Sequence, residues 1–251
     1  MPEQYTLGYD AVALAFVSRR RLDPDGAALI PLLRPGMAVL DCGCGPGTVT
    51  VDIAQRLGEG TAVGLDLDGS QVGLGRELAQ RRGCSNVNFR QGDVYHLPFE
   101  DATFDTVFSH ALFEHLSEPL RAMRELRRVL KPGAAAVVCT PDWGSFLYSP
   151  ATPPLLAAVR AYCELQNRNG GDVCIGHKLL DYARRAGFER VRASARYENY
   201  QPLSVIGDLI AGKLDQAGFA PHAAAMRDWA AHSHGMFAQA WVSCIAWRPA
   251  S

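Results

Sequence analysis

Short apolar runs alternate along the chain with stretches whose apolar residues return at helical spacing. The runs occupy 37–41 (MAVLD), 61–66 (TAVGLD), 87–91 (VNFRQ), 105–109 (DTVFS) and 135–140 (AAVVCT), and helical spacing fills 49–57, 72–82 and 119–130. Strands that are apolar throughout, separated by helices, predict a parallel sheet covered on both faces. The expected fold class is therefore α/β, a doubly wound sheet. Ser117 is placed to cap the third of these helices, and Lys131-Pro132-Gly133 to stop it.

Three stretches fall outside that alternation. Residues 1–35 have helical, amphipathic spacing, with Tyr5, Tyr9 and Phe16 ahead of the run Ser18-Arg19-Arg20-Arg21. Residues 143–186 exceed a plain crossover and begin among Pro150, Pro153 and Pro154, while 203–235 is helical between two expected strands, 190–197 and 237–247. Pieces attached at the carboxyl edge of such a sheet commonly wall and cover a ligand site. The chain is thus expected to be one domain over 1–251: a helical N-terminal lid (1–35), a ligand-binding half (36–142), and a wall with the last strands (143–251). The arginine run is expected to be an exposed helical face, with a carboxylated substrate as its alternative use.

Composition narrows the partners. With 25 basic and 26 acidic residues among 251, the formal net charge of −1 offers no bulk attraction to a nucleic-acid backbone or an anionic membrane. No apolar run approaches the roughly 18 residues of a membrane span, and the opening MPEQYTLGYD lacks the basic start and apolar core of a leader. Both points predict a cytoplasmic protein, and a monomer or homodimer is the separate expectation for its assembly. The seven cysteines follow no repeated interval, which suits buried thiols better than a disulfide framework.

The densest chemistry follows the first run. Val39-Leu40-Asp41 leads into Cys42-Gly43-Cys44-Gly45-Pro46-Gly47 and then a helix. Glycines at such a turn let a ligand approach the backbone, and the helix start offers free N–H groups. The spacing is G-x-G-x-G, and Thr48 stands where a dinucleotide fingerprint carries its third glycine. Asp66 closes the second run, where a carboxylate can face both hydroxyls of a ribose; Asp68 is expected to start the next helix instead. Asp93, in Gln91-Gly92-Asp93-Val94, can accept from an adenine amine, with a backbone-bonded turn residue as the alternative. The acids describe a nucleoside site without a pyrophosphate site.

With these residues in place, the chain resembles the class I S-adenosylmethionine-dependent methyltransferases, close to the ubiquinone/menaquinone-biosynthesis type. The resemblance lies in LDCGCGPG (40–47), GLD (64–66), QGDV (91–94), FDTVFSHALFEHL (104–116) and RRVLKPG (127–133), with Ala134 departing from a common second glycine. It implies a Rossmann-like, seven-stranded, mostly parallel sheet whose antiparallel strand is 237–247, with the switch point between the first and fourth strands. It implies S-adenosylmethionine as cofactor and S-adenosylhomocysteine as product. By the same resemblance Asp41, Gly43 and Gly45 approach the methionine portion, with Cys42 and Cys44 lending backbone groups only. Asp66 takes the ribose, Leu67 packs on the adenine, and Gly92, Asp93 and Val94 hold its edge. Ser109 lies beside the sulfonium, with His110 adjoining.

Methyl transfer from a sulfonium needs alignment and a dry pocket, and a base only where the acceptor carries its proton. His115 and Glu114 are the candidate catalytic groups, ahead of His110 and Asp142. Tyr5, Tyr9 and Trp143 are the candidate substrate contacts, suited to a flat or apolar small molecule. No acidic cluster indicates a metal, and His232-x-His234 suits a loop or helix end. Two other functions compete. A nicotinamide oxidoreductase is disfavoured by the turn spacing and by the lack of a tyrosine–lysine pair. A cyclase or binding module that keeps the cofactor without methyl transfer shares every motif.

Overall fold

The computed structural model describes residues 3–232 and 234–250. Met1, Pro2 and Ser251, at the ends of the expected lid and wall, and Ser233, between the two late histidines, lie outside it. The chain opens with an irregular segment, then α1 (Ala11–Val17) and α2 (Leu22–Asp25). Residues 1–35 are thus less helical than their spacing predicts: Gly8 (φ 61°) keeps the opening irregular, and the capping side chain of Asp10, which accepts from Ala13 N–H, starts α1 only at Ala11. The alternation follows as β1 (Ala38–Cys42), α3 (Thr48–Arg56), β2 (Thr61–Asp66), α4 (Gly69–Arg81), β3 (Val87–Gln91), β4 (Phe104–His110), α5 (Pro119–Val129) and β5 (Leu130–Pro141). Asp68 caps α4 as expected, accepting from the Ser70 and Gln71 N–H groups. Ser117 does not cap α5; Glu118 holds that position, and the Ser117 N–H and hydroxyl both donate to the Glu3 carboxylate, at 2.7 and 2.9 Å.

Beyond β5 come β6 (Leu147–Ser149), α6 (Pro153–Arg168), α7 (Leu179–Arg185), β7 (Glu189–Asn199), α8 (Ser204–Gln216), α9 (Ala220–Ala230) and β8 (Met236–Trp247). The first five strands are parallel in the order β3-β2-β1-β4-β5, so the direction of winding reverses between β1 and β4. β8 adds antiparallel to β5, and β7 antiparallel to β8. The sheet has eight strands and not the expected seven, because three residues of β6 continue the line of β5 against β8. That pairing is too short to leave an alternating pattern in sequence.

Apolar strands bury both faces. One face packs Met123 and Leu126 of α5 and Leu179 at the start of α7 against Leu40, Val107 and Val138. The other packs Ile53, Leu57 and Val72 against Val39 and Phe108. A third core, of Leu155, Tyr162, Leu209, Ile210, Met226 and Phe237, joins α6, α8 and α9 to the far end of β8. This helical cap stands over the carboxyl edge of the sheet. The N-terminal segment is tied down beside it: Glu3 accepts from Tyr95 OH at 2.6 Å, Gln4 N–H donates to Asn169, and Asp10 pairs with the buried Lys213.

Gly47 shows how tightly the turn after β1 is held. Its φ is 79°, and a Cβ there would stand 2.6 Å from the Phe89 ring and 2.9 Å from Gly75 Cα. Both the left-handed backbone and the contact penalise a side chain. Gly47→Ala should therefore destabilise the fold by about 2–4 kcal/mol, combining about 1–3 for overpacking with about 1 or more for strain. The chemical-denaturation midpoint of the purified variant checks this; an unshifted midpoint would mean that the turn adapts.

Candidate functional site

The switch point between β1 and β4 opens into a cleft enclosing about 960 Å³ including its mouth, on the scale of nucleoside-sized ligands. Its floor is the glycine turn. Gly43 and Cys44 N–H donate to Leu65 C=O at 2.8 and 3.0 Å, binding the turn to the neighbouring strand. Gly45 N–H donates to Asp66 Oδ2 at 2.8 Å, and Asp68 N–H to Asp66 Oδ1 at 3.0 Å. Each oxygen has a further lone pair with which to accept a hydrogen bond. Burial raises the Asp66 pKa against the lowering effect of those backbone donors. A Cβ on Gly45 would meet nothing within 4 Å, so its backbone faces open space.

Most expected contacts gather here. Gly43, Gly45, Asp66, Leu67, Gly92, Asp93 and Val94 line the cleft, and Tyr5 and Tyr9 cover it from the N-terminal segment. Leu67, 62% exposed, forms the rim. Asp93 also makes the anticipated turn bond, accepting from Tyr95 N–H at 2.8 Å. Asp41, Cys44 and His110 lie apart from these, in a recess beneath the turn that Gly43, Gly45 and Arg20 also line. Asp41 accepts from the Thr50 hydroxyl at 2.6 Å, and burial pushes its pKa up to about 7. Ser109 is fully buried with its hydroxyl unpartnered, and it lines none of these cavities. His110 turns toward Asp25, 3.6 Å from Nε2, and stacks on Trp241 with centroids 4.3 Å apart.

Glu114 and His115 stand on a single turn after β4, at the junction of the cleft with a side pocket. His115 borders both spaces, whereas Glu114 borders the side pocket alone. Glu114 accepts from the Thr140 hydroxyl at 2.8 Å, and its other oxygen lies 3.6 Å from His115 Nε2. His115 Nδ1 has no partner, and Tyr5 sits edge-on to the ring at 4.7 Å. Burial drives the pair in opposite directions: Glu114 up to about 7, His115 down to about 3 with help from Arg20. Trp143 joins Phe16, Tyr162 and Trp241 in the side pocket and is not in the cleft. His232 follows the C-cap of α9 with Nδ1 3.0 Å from Asp228 C=O, which places it at a helix end.

Tyr162, Gln166, Gln239 and Trp241 escaped the sequence expectations, and Arg20 entered them only within the arginine run, as an exposed face with a carboxylated substrate as its alternative. Arg20 is half-buried and borders all four of the cavities described here, not an exposed face. A signal for it existed, since Ala13, Phe16, Val17 and Arg20 share one side at helical spacing. The other four depend on how α6 and β8 meet, which no local pattern encodes.

Residues 33–198 match a family described as a methyltransferase domain. The chain is 42% identical over 101 residues to an uncharacterised methyltransferase of Schizosaccharomyces pombe, covering 38% of this chain and 36% of that protein. It is 35% identical over 108 residues to the ubiquinone/menaquinone biosynthesis C-methyltransferase of Idiomarina loihiensis, covering 42% of this chain and 43% of that one. The chain therefore spans less than half the length of these two relatives. Among solved structures it resembles the cyclase SpnF, with 26% identity and a TM-score of 0.62 over 90% of this chain and 80% of that one. No helix among the described residues is long and apolar enough to cross a membrane.

The buried carboxyl of Glu114 has a pH signature. Its folded pKa, about 7, exceeds the model-peptide value of 4.5, so the folded state holds the proton more tightly. That contribution is complete below about pH 4.5 and is lost as pH rises through about 7. Glu114→Gln cannot lose it. The melting temperature of Glu114→Gln minus that of the wild type should therefore rise from pH 5 to pH 8. A difference independent of pH would place the Glu114 titration outside this window.

Proposed function

The chain belongs to the methyltransferase-domain family, and from that premise we propose that it transfers a methyl group from S-adenosylmethionine to a small organic acceptor. The observation that carries this is the convergence of the glycine turn, Asp66 and Asp93 on one cleft whose far side opens at His115 into an aromatic pocket. The cleft suits the cofactor: Asp66 has acceptors for the ribose, Asp93 and Val94 flank a place for the adenine, and Leu67 is a flat apolar rim. Gly43 and Gly45 admit the methionine portion toward the Asp41 recess. Bound there, S-adenosylmethionine supplies an electrophilic methyl carbon.

The remaining chemistry belongs to the chain. Phe16, Trp143, Tyr162 and Trp241 exclude water from the acceptor and suit a flat, apolar body. Glu114, with its pKa near 7, is the better base for an acceptor hydroxyl or amine. His115, held neutral, is a hydrogen-bond partner that aligns the acceptor beside the cleft. We assign 1–35 as the lid, 36–142 as the cofactor half and 143–251 as the acceptor wall. A small-molecule acceptor, rather than a nucleic acid, suits the neutral charge, and a cytoplasmic monomer or homodimer remains part of this reading. A second reading, a cyclase that keeps the cofactor without transfer, has the likeness to SpnF on its side. Production of S-adenosylhomocysteine from a panel of phenols, quinols and amines separates the two.

Asp66→Ala should keep the fold and weaken S-adenosylhomocysteine about ten- to hundredfold, the scale of about 1.5–3 kcal/mol for lost charge-assisted hydrogen bonds. Calorimetry showing unchanged affinity in a folded variant would sink the cofactor assignment. For the lid, Glu3→Ala removes the acceptor of Tyr95 OH and of two Ser117 donors. Release of S-adenosylhomocysteine, followed by stopped-flow fluorescence, should then quicken several-fold. An unchanged off-rate would reduce the segment to packing.

A further inference from the structure

The side chain that this reading leaves unexplained is Arg20. It is half-buried, yet its hydrogen bonds run through the backbone alone: its N–H donates to Val17 and its C=O accepts from Arg21. No ion pair to its guanidinium occurs among the described residues. The neighbouring acids have other hydrogen-bond partners: Asp41 accepts from Thr50, Glu114 from Thr140, and Asp25 from Arg21 N–H and Arg196, while Glu198, in the outer cavity with Arg20, pairs with Arg196 and keeps Oε2 without a hydrogen bond. Arg196, by contrast, is matched by both Asp25 and Glu198.

The charge is nonetheless directed at the site. It is among the causes that lower the pKa of both His110 and His115. A half-buried cation without a partner is costly, and an anionic ligand that meets it recovers that cost. The aromatic side chains beside it, Phe16 and Trp241, border the side pocket and the next cavity outward, and neither borders the cofactor cleft. An anion seated there carries a flat apolar body.

Resting on the methyl-transfer reading, we propose that Arg20 anchors a carboxylate on the methyl acceptor, so that the acceptor class is small aromatic carboxylic acids. The planar guanidinium pairs with both carboxylate oxygens, while Trp143 and Tyr162 hold the ring deeper in the pocket. Arg20 thereby selects acids over neutral molecules of the same shape.

The cofactor's own carboxylate has the same chemistry, so the experiment separates the two sources. Full-length wild type, Arg20→Gln and Arg20→Lys are first titrated calorimetrically with S-adenosylhomocysteine and with methylthioadenosine, which lacks the amino-acid tail. Benzoate, salicylate and naphthoate are then each compared with their carboxamides on protein saturated with S-adenosylhomocysteine. The wild type should prefer the acids by about tenfold or more, as a charge-assisted bidentate pair implies. Arg20→Gln should abolish that preference with nucleoside binding unchanged, and Arg20→Lys should keep part of it. Equal binding of acids and amides by the wild type, or a preference that survives in Arg20→Gln, overturns the proposal. So does a loss of S-adenosylhomocysteine affinity in Arg20→Gln that methylthioadenosine does not share, since the carboxylate held is then the cofactor's. In any of these cases intact nucleoside binding leaves the methyl-transfer reading standing; its absence from the wild type removes that reading instead.

Discussion

The hydrogen bond from Gly45 N–H to Asp66 joins two things that sequence separates: the turn after β1 and the tip of β2. Without it, the glycine turn is three left-handed residues with little side-chain mass to locate them. With it, and with Gly43 and Cys44 donating to Leu65, the turn becomes a continuation of the sheet ladder. Asp66 is therefore a structural clamp as well as the proposed ribose contact. Its carboxylate must remain where burial disfavours its charge, and the backbone donors offset that burial. Phe89 supports the same turn from below, in a notch made by Gly47, Gly64 and Gly75 that any Cβ would close. The floor of the cleft follows from this arrangement, whereas its N-terminal cover is held by Glu3, Gln4 and Asp10.

The acids around the turn do different work because their surroundings differ. Asp93 and Leu67 sit at the open end of the cleft, where solvent screens charge. Asp41 and Glu114 are buried at the other end, each with one hydroxyl donor, and burial carries both to about 7. Between them lies Arg20, close enough to act on both and paired with neither. The cleft thus changes from a screened, hydrogen-bonding end to a dry end where a single charge has long reach. Recognition of a nucleoside suits the first environment, and proton movement and displacement chemistry suit the second.

What was legible in the sequence was local. The turn 43–47, Asp66 and Asp93 announce themselves because backbone conformation at a strand end restricts residue type, and the apolar runs fix the parallel core. Ser117 shows the limit of local rules: its cap geometry was plausible, but Glu3, far away in the chain, offered its hydroxyl a charged acceptor. Arg20 shows the same in reverse. A run of three arginines suggests a solvated face, and only the packing of α1 against α8 and the cleft turns the middle one inward. The side pocket was illegible for a related reason, since Tyr162, Gln166 and Trp241 come from α6 and β8 and meet only in the folded chain.

Buried polar atoms without partners complete the physical case for where function lies. Ser109 Oγ, both ring nitrogens of His110, His115 Nδ1 and Trp241 Nε1 sit at the carboxyl end of β4, on the turn after it, or on the β8 residue opposite Pro141, while Glu198 Oε2 on β7 and Trp229 Nε1 on α9 lie elsewhere. Each such atom costs about 1–3 kcal/mol relative to a satisfied one. A sheet selected for stability alone would carry apolar residues there, as it does along Val107, Phe108, Val137 and Val138, which are buried and need no partner. Most of that cost falls at the end of β4 and just after it, beside the switch point where winding reverses. Polarity retained there, beside an arginine with no salt-bridge contact among the described residues, fits the proposal that this edge is shaped by what it binds.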